Sequence, residues 1–223
     1  MGGGLSPFSV NWLVLRLHRR AVAAAATEFA RGRLLDVGCG RRPLADELER
    51  PADRCIGIEV DRRRYADAPP DLWGSGLELP FRDRVFDTVF SSQVLEHVPE
   101  PGRMIGEMAR VLRPAGHLIV TAPHMWGVHE EPEDYFRFTG YGLAWLARRA
   151  GLEPVLVRPL AGYWVTAGAR LCHYLRQFEK VGLKPLLGPV YLLVQVVALA
   201  LDRLHRVESD AWCFLLVARR PAE

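Results

Sequence analysis

The run Leu34-Leu35-Asp36-Val37-Gly38-Cys39-Gly40 decides how this chain is read. A short apolar stretch ends in an acid and then two glycines, one residue apart. A buried parallel strand has this form when it runs into a turn whose backbone comes close to a ligand. A Cβ there would block both the turn and the approach. Roughly twenty residues on, a second apolar run, Cys55-Ile56-Gly57-Ile58-Glu59, ends in another acid. A carboxylate at the end of a second strand accepts two hydrogen bonds from a ribose diol. Together the two features predict a site for a nucleoside-containing cofactor.

Working outward, apolar runs predict strands at Arg33–Val37, Cys55–Val60, Leu72–Gly74, Val85–Ser91, His117–Ala122, Pro154–Arg158 and Ala211–Ala218. Helical spacing predicts helices within residues 10–30, from Pro43 to about Arg50, at Gly102–Leu112 and at Tyr141–Ala150. Thr139 and Gly151 are the expected caps of the last of these. A short basic helix is expected at Arg62–Ala66, ended by Pro69-Pro70, and a turn at Pro114-Ala115-Gly116. Strands alternating with helices predict an α/β fold with a mostly parallel sheet. The 223 residues are expected to form one domain, 1–223, opened by a helical segment at 1–30. Two stretches break the alternation: a polar loop at Pro123–Thr139 and an apolar helical insertion at 161–207.

Hydrophobic residues make up 49% and charged residues 25%, the range of soluble globular proteins. The net charge of +3 is spread evenly, with no basic patch interleaved with aromatics, so no nucleic-acid partner is expected. Cys39, Cys55, Cys172 and Cys213 lack metal-pair spacing and read as reduced, packed residues of a cytoplasmic protein. Near the N-terminus Arg16, His18, Arg19 and Arg20 lie within or after the apolar residues, unlike a secretory signal.

A dinucleotide site needs a third glycine, and here that position is Pro43, preceded by Arg41-Arg42. Support for another cofactor comes from four segments in order: Leu79-Pro80-Phe81, Phe86-Asp87-Thr88-Val89-Phe90, Val94-Leu95-Glu96-His97-Val98 and Arg110-Val111-Leu112-Arg113-Pro114-Ala115-Gly116. With these segments the chain resembles the class I S-adenosylmethionine-dependent methyltransferases of the type 11 group, over residues 30–160 and the final strand. The resemblance implies a Rossmann-like, seven-stranded sheet with an antiparallel last strand, helices on both faces, and S-adenosylmethionine as cofactor. It places Asp36, Gly38 and Gly40 along the methionine end, with Asp36 balancing the ammonium. Glu59 takes the ribose hydroxyls, and Ser92 and Gln93 face the methionine moiety. The group often has an acid for the adenine amine where this chain has Ser75. Ser75 itself, or backbone groups of Gly76 and Leu77, would fill that role. Against these roles stand plainer ones: Asp36 as a turn cap and Glu59 as a solvated strand-end acid.

Methyl transfer from a sulfonium is an in-line displacement whose leaving group becomes neutral, so positioning supplies most of the catalysis. A base is needed only for a hydroxyl or a protonated amine. The loop after the fifth strand lies where open α/β sheets bind ligands. It resembles a subgroup of type 11 enzymes with a His-Glu-x-Pro-x-Asp-Tyr-x-Arg-x-Thr signature. Here that signature runs from His129 to Thr139. His129 is expected to face the acceptor as base or orienting group, with Tyr135 and Arg137 shaping the pocket and Trp126 as a wall. In the plainer reading Arg137 only pairs with Asp134, three residues away, and Tyr135 is core. Glu96 and His97 read as helix-start residues. His124 and His129 do not have the i, i+4 spacing of a helical zinc site, so no metal is expected.

Within the insertion, Leu186–Leu201 has Gln195 as its one strongly polar residue. Sixteen residues are short of a membrane span, which needs about twenty. Burial in the domain, a homodimer through 161–207, a lie along the inner face of a membrane and a true span are the readings left open; cations around the segment suit the membrane surface. The predicted activity is methyl transfer to a small-molecule or lipid- or glycan-linked acceptor. The alternative is a membrane-associated module that binds S-adenosylmethionine without catalysis. A reductase is disfavoured by Pro43 and by the lack of a Tyr-x-x-x-Lys pair.

Overall fold

The computed structural model describes residues 6–181 and 184–222. Its contacts separate into two compact units, the larger being Val22–Pro123, Gly127–Arg158 and Phe214 onward. The smaller is the chain up to Ala21, His124–Trp126 and Pro159–Cys213.

Seven strands form one sheet: β1 (Arg33–Val37), β2 (Arg54–Glu59), β3 (Leu72–Trp73), β4 (Phe86–Ser92), β5 (Leu112–Pro123), β6 (Glu153–Pro159) and β7 (Cys213–Arg219). Their order is β3-β2-β1-β4-β5-β7-β6, six parallel and the last antiparallel. The predicted Rossmann-like sheet is therefore the observed one. Order reverses between β1 and β4, which places the ends of β1, β2 and β4 at the switch point where such sheets bind ligands.

The larger unit's core follows from the apolar runs. Leu35, Val89 and Leu118 are fully buried from three adjacent strands, against Met104, Ile105 and Met108 of α3 (Pro101–Val111), the third helix after α1 (Trp12–Phe29) and α2 (Ala45–Glu49). Asp87, the charge inside β4, is used at the sheet's rim: its carboxylate accepts from the Arg33 amide at 2.9 Å and from Arg113 at 2.9 Å. Thr139 caps α4 (Gly140–Arg149) by accepting from the Gly142 amide at 3.0 Å, and Gly151 has the left-handed φ of 75° its cap role required.

Three local expectations are corrected. No helix forms at Arg62–Ala66: the Asp61 carboxylate accepts from the Arg63 and Arg64 amides, both at 3.0 Å, and the chain stays in turns before Pro69. α2 is shorter than expected and starts at Ala45, because Arg42 adopts a φ of 53° just before it. The Pro114–Gly116 turn lies inside β5: Phe86 pairs with Leu112 and Thr88 with His117, so the intervening residues bulge out of the ladder.

The smaller unit is built on α5 (Tyr163–Leu175) and α6 (Lys184–Leu204). α6 is longer at both ends than expected, and Pro185–Leu204 is long and apolar enough to cross a membrane by length and composition. A Cβ at Gly168 would lie 2.6 Å from the Ala198 Cβ, so the glycine lets α5 and α6 approach closely. Gln195 and Asp202 of α6 point inward. Gln195 accepts from the Leu13 amide at 2.8 Å and donates to the Ser9 and Tyr191 carbonyls, while Asp202 accepts from the Gly162 amide at 3.1 Å. It also exposes apolar side chains: Leu186 is 67% and Leu193 64% exposed, with Val190, Val197 and Leu204 on the same stripe, and Arg203 beside its end.

Candidate cofactor and acceptor site

All nine residues expected at the cofactor belong to the larger unit, at the carboxyl ends of β1, β2 and β4 or in the turn after β3. Gly38 and Gly40 have left-handed φ values of 74° and 51°. A Cβ on Gly38 would lie 2.4 Å from a Val94 methyl. Glycine is therefore required by both conformation and space. The Gly38 and Cys39 amides donate to the Ile58 carbonyl at 2.9 and 3.2 Å, which folds the turn back over β2.

Glu59 is buried and its carboxylate accepts three amides: Gly40 at 2.9 Å, Val60 at 2.7 Å and Asp61 at 3.3 Å. It is not a solvated strand-end acid. Asp36 is also buried, and burial pushes its carboxyl up to about 7, with Glu59 adding to the rise and Arg42 opposing it. Such a group is poised to be held ionised by a bound cation. Ser75 Oγ accepts from the Leu77 amide at 3.1 Å, so the hydroxyl in the acid's usual place shapes the Gly76–Leu77 turn. Ser92 and Gln93 both meet the Thr121 hydroxyl, at 2.8 and 3.2 Å, and Gln93 has a φ of 55°. Left-handed backbone in a non-glycine residue at a strand end is a mark of functional sites.

Two residues were not read from the sequence. Asp71 accepts from the Gly57 amide at 2.7 Å and pairs with Arg42 at 3.3 Å, bracing β2. The Tyr65 ring stands 3.4 Å from where a Gly40 Cβ would be, with the Arg41 and Arg64 guanidinium groups over it. Their only signal was position after a strand. The thiols of Cys39, Cys55 and Cys172 are pushed up to about 12, 11 and 11 by burial, so none is a ready nucleophile.

The signature loop folds around Asp134. Its carboxylate takes both Arg137 terminal nitrogens, at 2.6 and 2.7 Å, and the His129 amide at 2.8 Å. Those bonds hold the Asp134 carboxyl well below its ordinary value. Arg137 also donates to the Gly127 and Phe136 carbonyls, both at 2.7 Å, so it clamps the loop. Tyr135 is 48% exposed, which places its ring outside the core. Arg64 pairs with Glu130 through both guanidinium nitrogens, tying the segment after β2 to this loop. The Tyr135 amide donates to the Glu96 carbonyl at 2.8 Å, tying the loop to the end of β4 as well. His129 thus sits on a braced loop beside the cofactor turns. Its ring makes an edge contact with that of His97, 4.9 Å between centroids. Trp126 belongs to the smaller unit, where it packs on His173 and Trp212.

Known proteins share these features. Residues 35–120 match the family model described as a methyltransferase domain. An uncharacterized methyltransferase of Mycobacteroides abscessus is 35% identical over 140 residues, 56% of this chain and 54% of that protein. The 27-O-demethylrifamycin SV methyltransferase of Amycolatopsis mediterranei is 31% identical over 176 residues, 62% of this chain and 61% of that protein. The chain thus spans about half the length of the curated relatives it matches. Among solved structures, the (4+2)-cyclase SpnF superposes with a TM-score of 0.60 at 24% identity, covering 92% of this chain and 81% of that one. Haemonchus contortus phosphoethanolamine N-methyltransferase 2, in complex with S-adenosyl-L-methionine, gives 0.58 at 14%, covering 96% and 57%. A cyclase and a methyltransferase on one fold show that the fold does not choose the reaction. Over residues 35–120, which hold the two-glycine turn and Glu59, the chain is thus similar to methyltransferase domains, and its sheet order is that of their fold.

Proposed function

We propose that this chain moves the methyl group of S-adenosylmethionine to a nucleophilic atom of a small-molecule or lipid- or glycan-linked acceptor. The observation that carries this reading is the glycine turn of β1 fastened to Glu59, with buried Asp36 beneath it. Asp36 meets the cofactor's ammonium, Glu59 the ribose hydroxyls, and the turn at Ser75–Leu77 the adenine. Ser92 and Gln93 position the methionine end. The acceptor lies under the loop braced by Asp134, with His129 nearest its reacting atom, Tyr135 as an exposed aromatic surface and Arg137 as the clamp. The acceptor's lone pair attacks the methyl carbon in line, and the C–S electrons return to a neutral sulfur.

The apolar stripe of α6 favours a lipid-linked acceptor and peripheral attachment to an anionic membrane face. Exposed Arg170, Arg176, Lys180, Arg203 and Arg206 flank it and suit such lipids. The test of the main reading is calorimetry with S-adenosylmethionine against NAD(P), followed by turnover of candidate acceptors with wild type and His129→Ala. Binding of S-adenosylmethionine alone and a loss of turnover above tenfold in the variant are expected. Binding of NAD(P) in its place overturns the reading, and turnover within a few-fold of wild type removes His129 from the reacting centre.

A further inference from the structure

We propose that Glu96, His97 and His129 form a binding site for one divalent transition-metal ion. One ligand atom from each lies within 4.8 Å of the other two. Metal bonds of about 2.1 Å set neighbouring ligand atoms roughly 3–4 Å apart, so small side-chain rotations close the site.

Glu96 supplies the first argument. It is wholly buried in the 3-10 turn Leu95–His97, and neither carboxyl oxygen has a hydrogen-bond partner. An orphaned buried carboxyl calls for a cation or a proton. The histidines supply the second. His97 Nδ1 stands 2.6 Å from the Glu133 carbonyl oxygen, and His129 Nδ1 3.1 Å from that of Gly127. A carbonyl only accepts, so each ring donates from Nδ1–H, which leaves Nε2 as the atom that can ligate an ion. Backbone carbonyls on Nδ1–H are what fix the tautomer of metal-ligating histidines. His97 Nε2 lies 3.8 Å from Glu96 Oε1 and 3.9 Å from Glu130 Oε2. The nearby cations are already engaged, Arg137 with Asp134 and Arg64 with Glu130.

Two imidazoles and one carboxylate suit Zn²⁺, Co²⁺ or Fe²⁺ better than Mg²⁺ or Ca²⁺, and leave coordination positions open. The site's use rests on the methyl-transfer reading, though binding itself does not. An acceptor hydroxyl placed on the ion becomes more acidic and loses its proton to water. The oxygen forms the new bond to the methyl carbon as the C–S bond breaks, giving ether, neutral thioether and a proton. His129 then reaches the acceptor through the ion. The expectation of no metal rests on the spacing of His124 and His129. His124 is not part of the cluster, since its ring meets the Ser209 carbonyl at 3.2 Å.

The experiment uses the whole chain, stripped with a chelator, titrated with Co²⁺ by visible absorption and with Zn²⁺ by calorimetry. One site per chain is expected, weakened on the order of 100-fold by Glu96→Gln, by His97→Asn and by His129→Asn. His129 is on a half-exposed loop, so its variant keeps the fold. Each variant is also titrated with S-adenosylmethionine, whose binding should remain. No Co²⁺ or Zn²⁺ binding by wild type, or unchanged binding in Glu96→Gln, overturns the site. Metal binding without S-adenosylmethionine binding upholds the site and sinks the methyl-transfer reading instead.

Discussion

Glu59 Oε2 accepts the Gly40 amide at 2.9 Å, so the acid that ends β2 is fastened to the turn that ends β1. The turn is therefore shaped before any ligand arrives, and cofactor affinity should depend on Glu59 in two ways. Glu59→Ala frees the Gly40 amide and, on the proposed reading, removes the ribose acceptor. A loss of S-adenosylhomocysteine affinity of about 1.5–3 kcal/mol is expected by calorimetry. Glu59→Gln, which keeps one acceptor oxygen, should lose less. Equal affinities across the three proteins would remove Glu59 from the site.

Asp36 predicts a pH dependence. Its carboxyl is raised to about 7, so it becomes neutral as pH falls through that value. A neutral carboxyl cannot balance the cofactor's ammonium. Affinity for S-adenosylmethionine should fall about tenfold between pH 8 and pH 6. In Asp36→Asn it should be weak and flat over the same range. Stability of the ligand-free protein should change in the opposite sense. The folded value lies above the unfolded one, so this carboxyl's stabilisation is full below about 4 and is lost as pH rises to about 7.

The loop clamp predicts a separation of effects. Asp134 holds Arg137 and the His129 amide from a nearly inaccessible position. Asp134→Ala takes the bidentate carboxylate from the Arg137 guanidinium and should cost about 2–4 kcal/mol, read as a lowered Tm. Arg64→Ala breaks the exposed tie to Glu130 and the guanidinium's stacking on Tyr65. It should raise acceptor KM a few-fold and speed proteolysis within Gly127–Phe138, with Tm nearly unchanged.

The α6 stripe predicts behaviour with lipid. The wild-type chain should float with anionic liposomes, and less with neutral ones. Leu193→Glu with Val197→Glu should abolish flotation without unfolding, since both side chains are exposed. A stable dimer that ignores liposomes would replace the membrane with a second copy. A monodisperse monomer that ignores them would remove both partners.

The sheet was legible because each strand carries its own signal. Leu34–Val37 is apolar and bounded by glycine, and Phe86–Phe90 has one charge whose partners, the Arg33 amide and Arg113, lie at the rim. The Arg62–Ala66 helix was misread because helical composition does not reveal a competing side-chain cap, here Asp61. At the cofactor, glycine positions and strand-end acids are local features. Asp71 and Tyr65 act through distant backbone and escaped notice. Glu96 was read as a helix-start acid because sequence position cannot tell that a carboxyl will be buried without a partner. Its juxtaposition with His129 depends on the loop's return, a tertiary fact with no periodicity to announce it.

The inverted polarity of α6 has a practical consequence. Water in contact with Leu186, Val190, Leu193, Val197 and Leu204 is unfavourable at about 25 cal/mol per Å². If neither the rest of the chain nor a membrane covers that stripe, a preparation made without lipid or detergent should hide it by self-association. Particle size will then track protein concentration and the history of the sample. Oligomeric state measured in such a preparation reports the solvent, and only titration with an amphiphile separates it from the assembly the chain specifies.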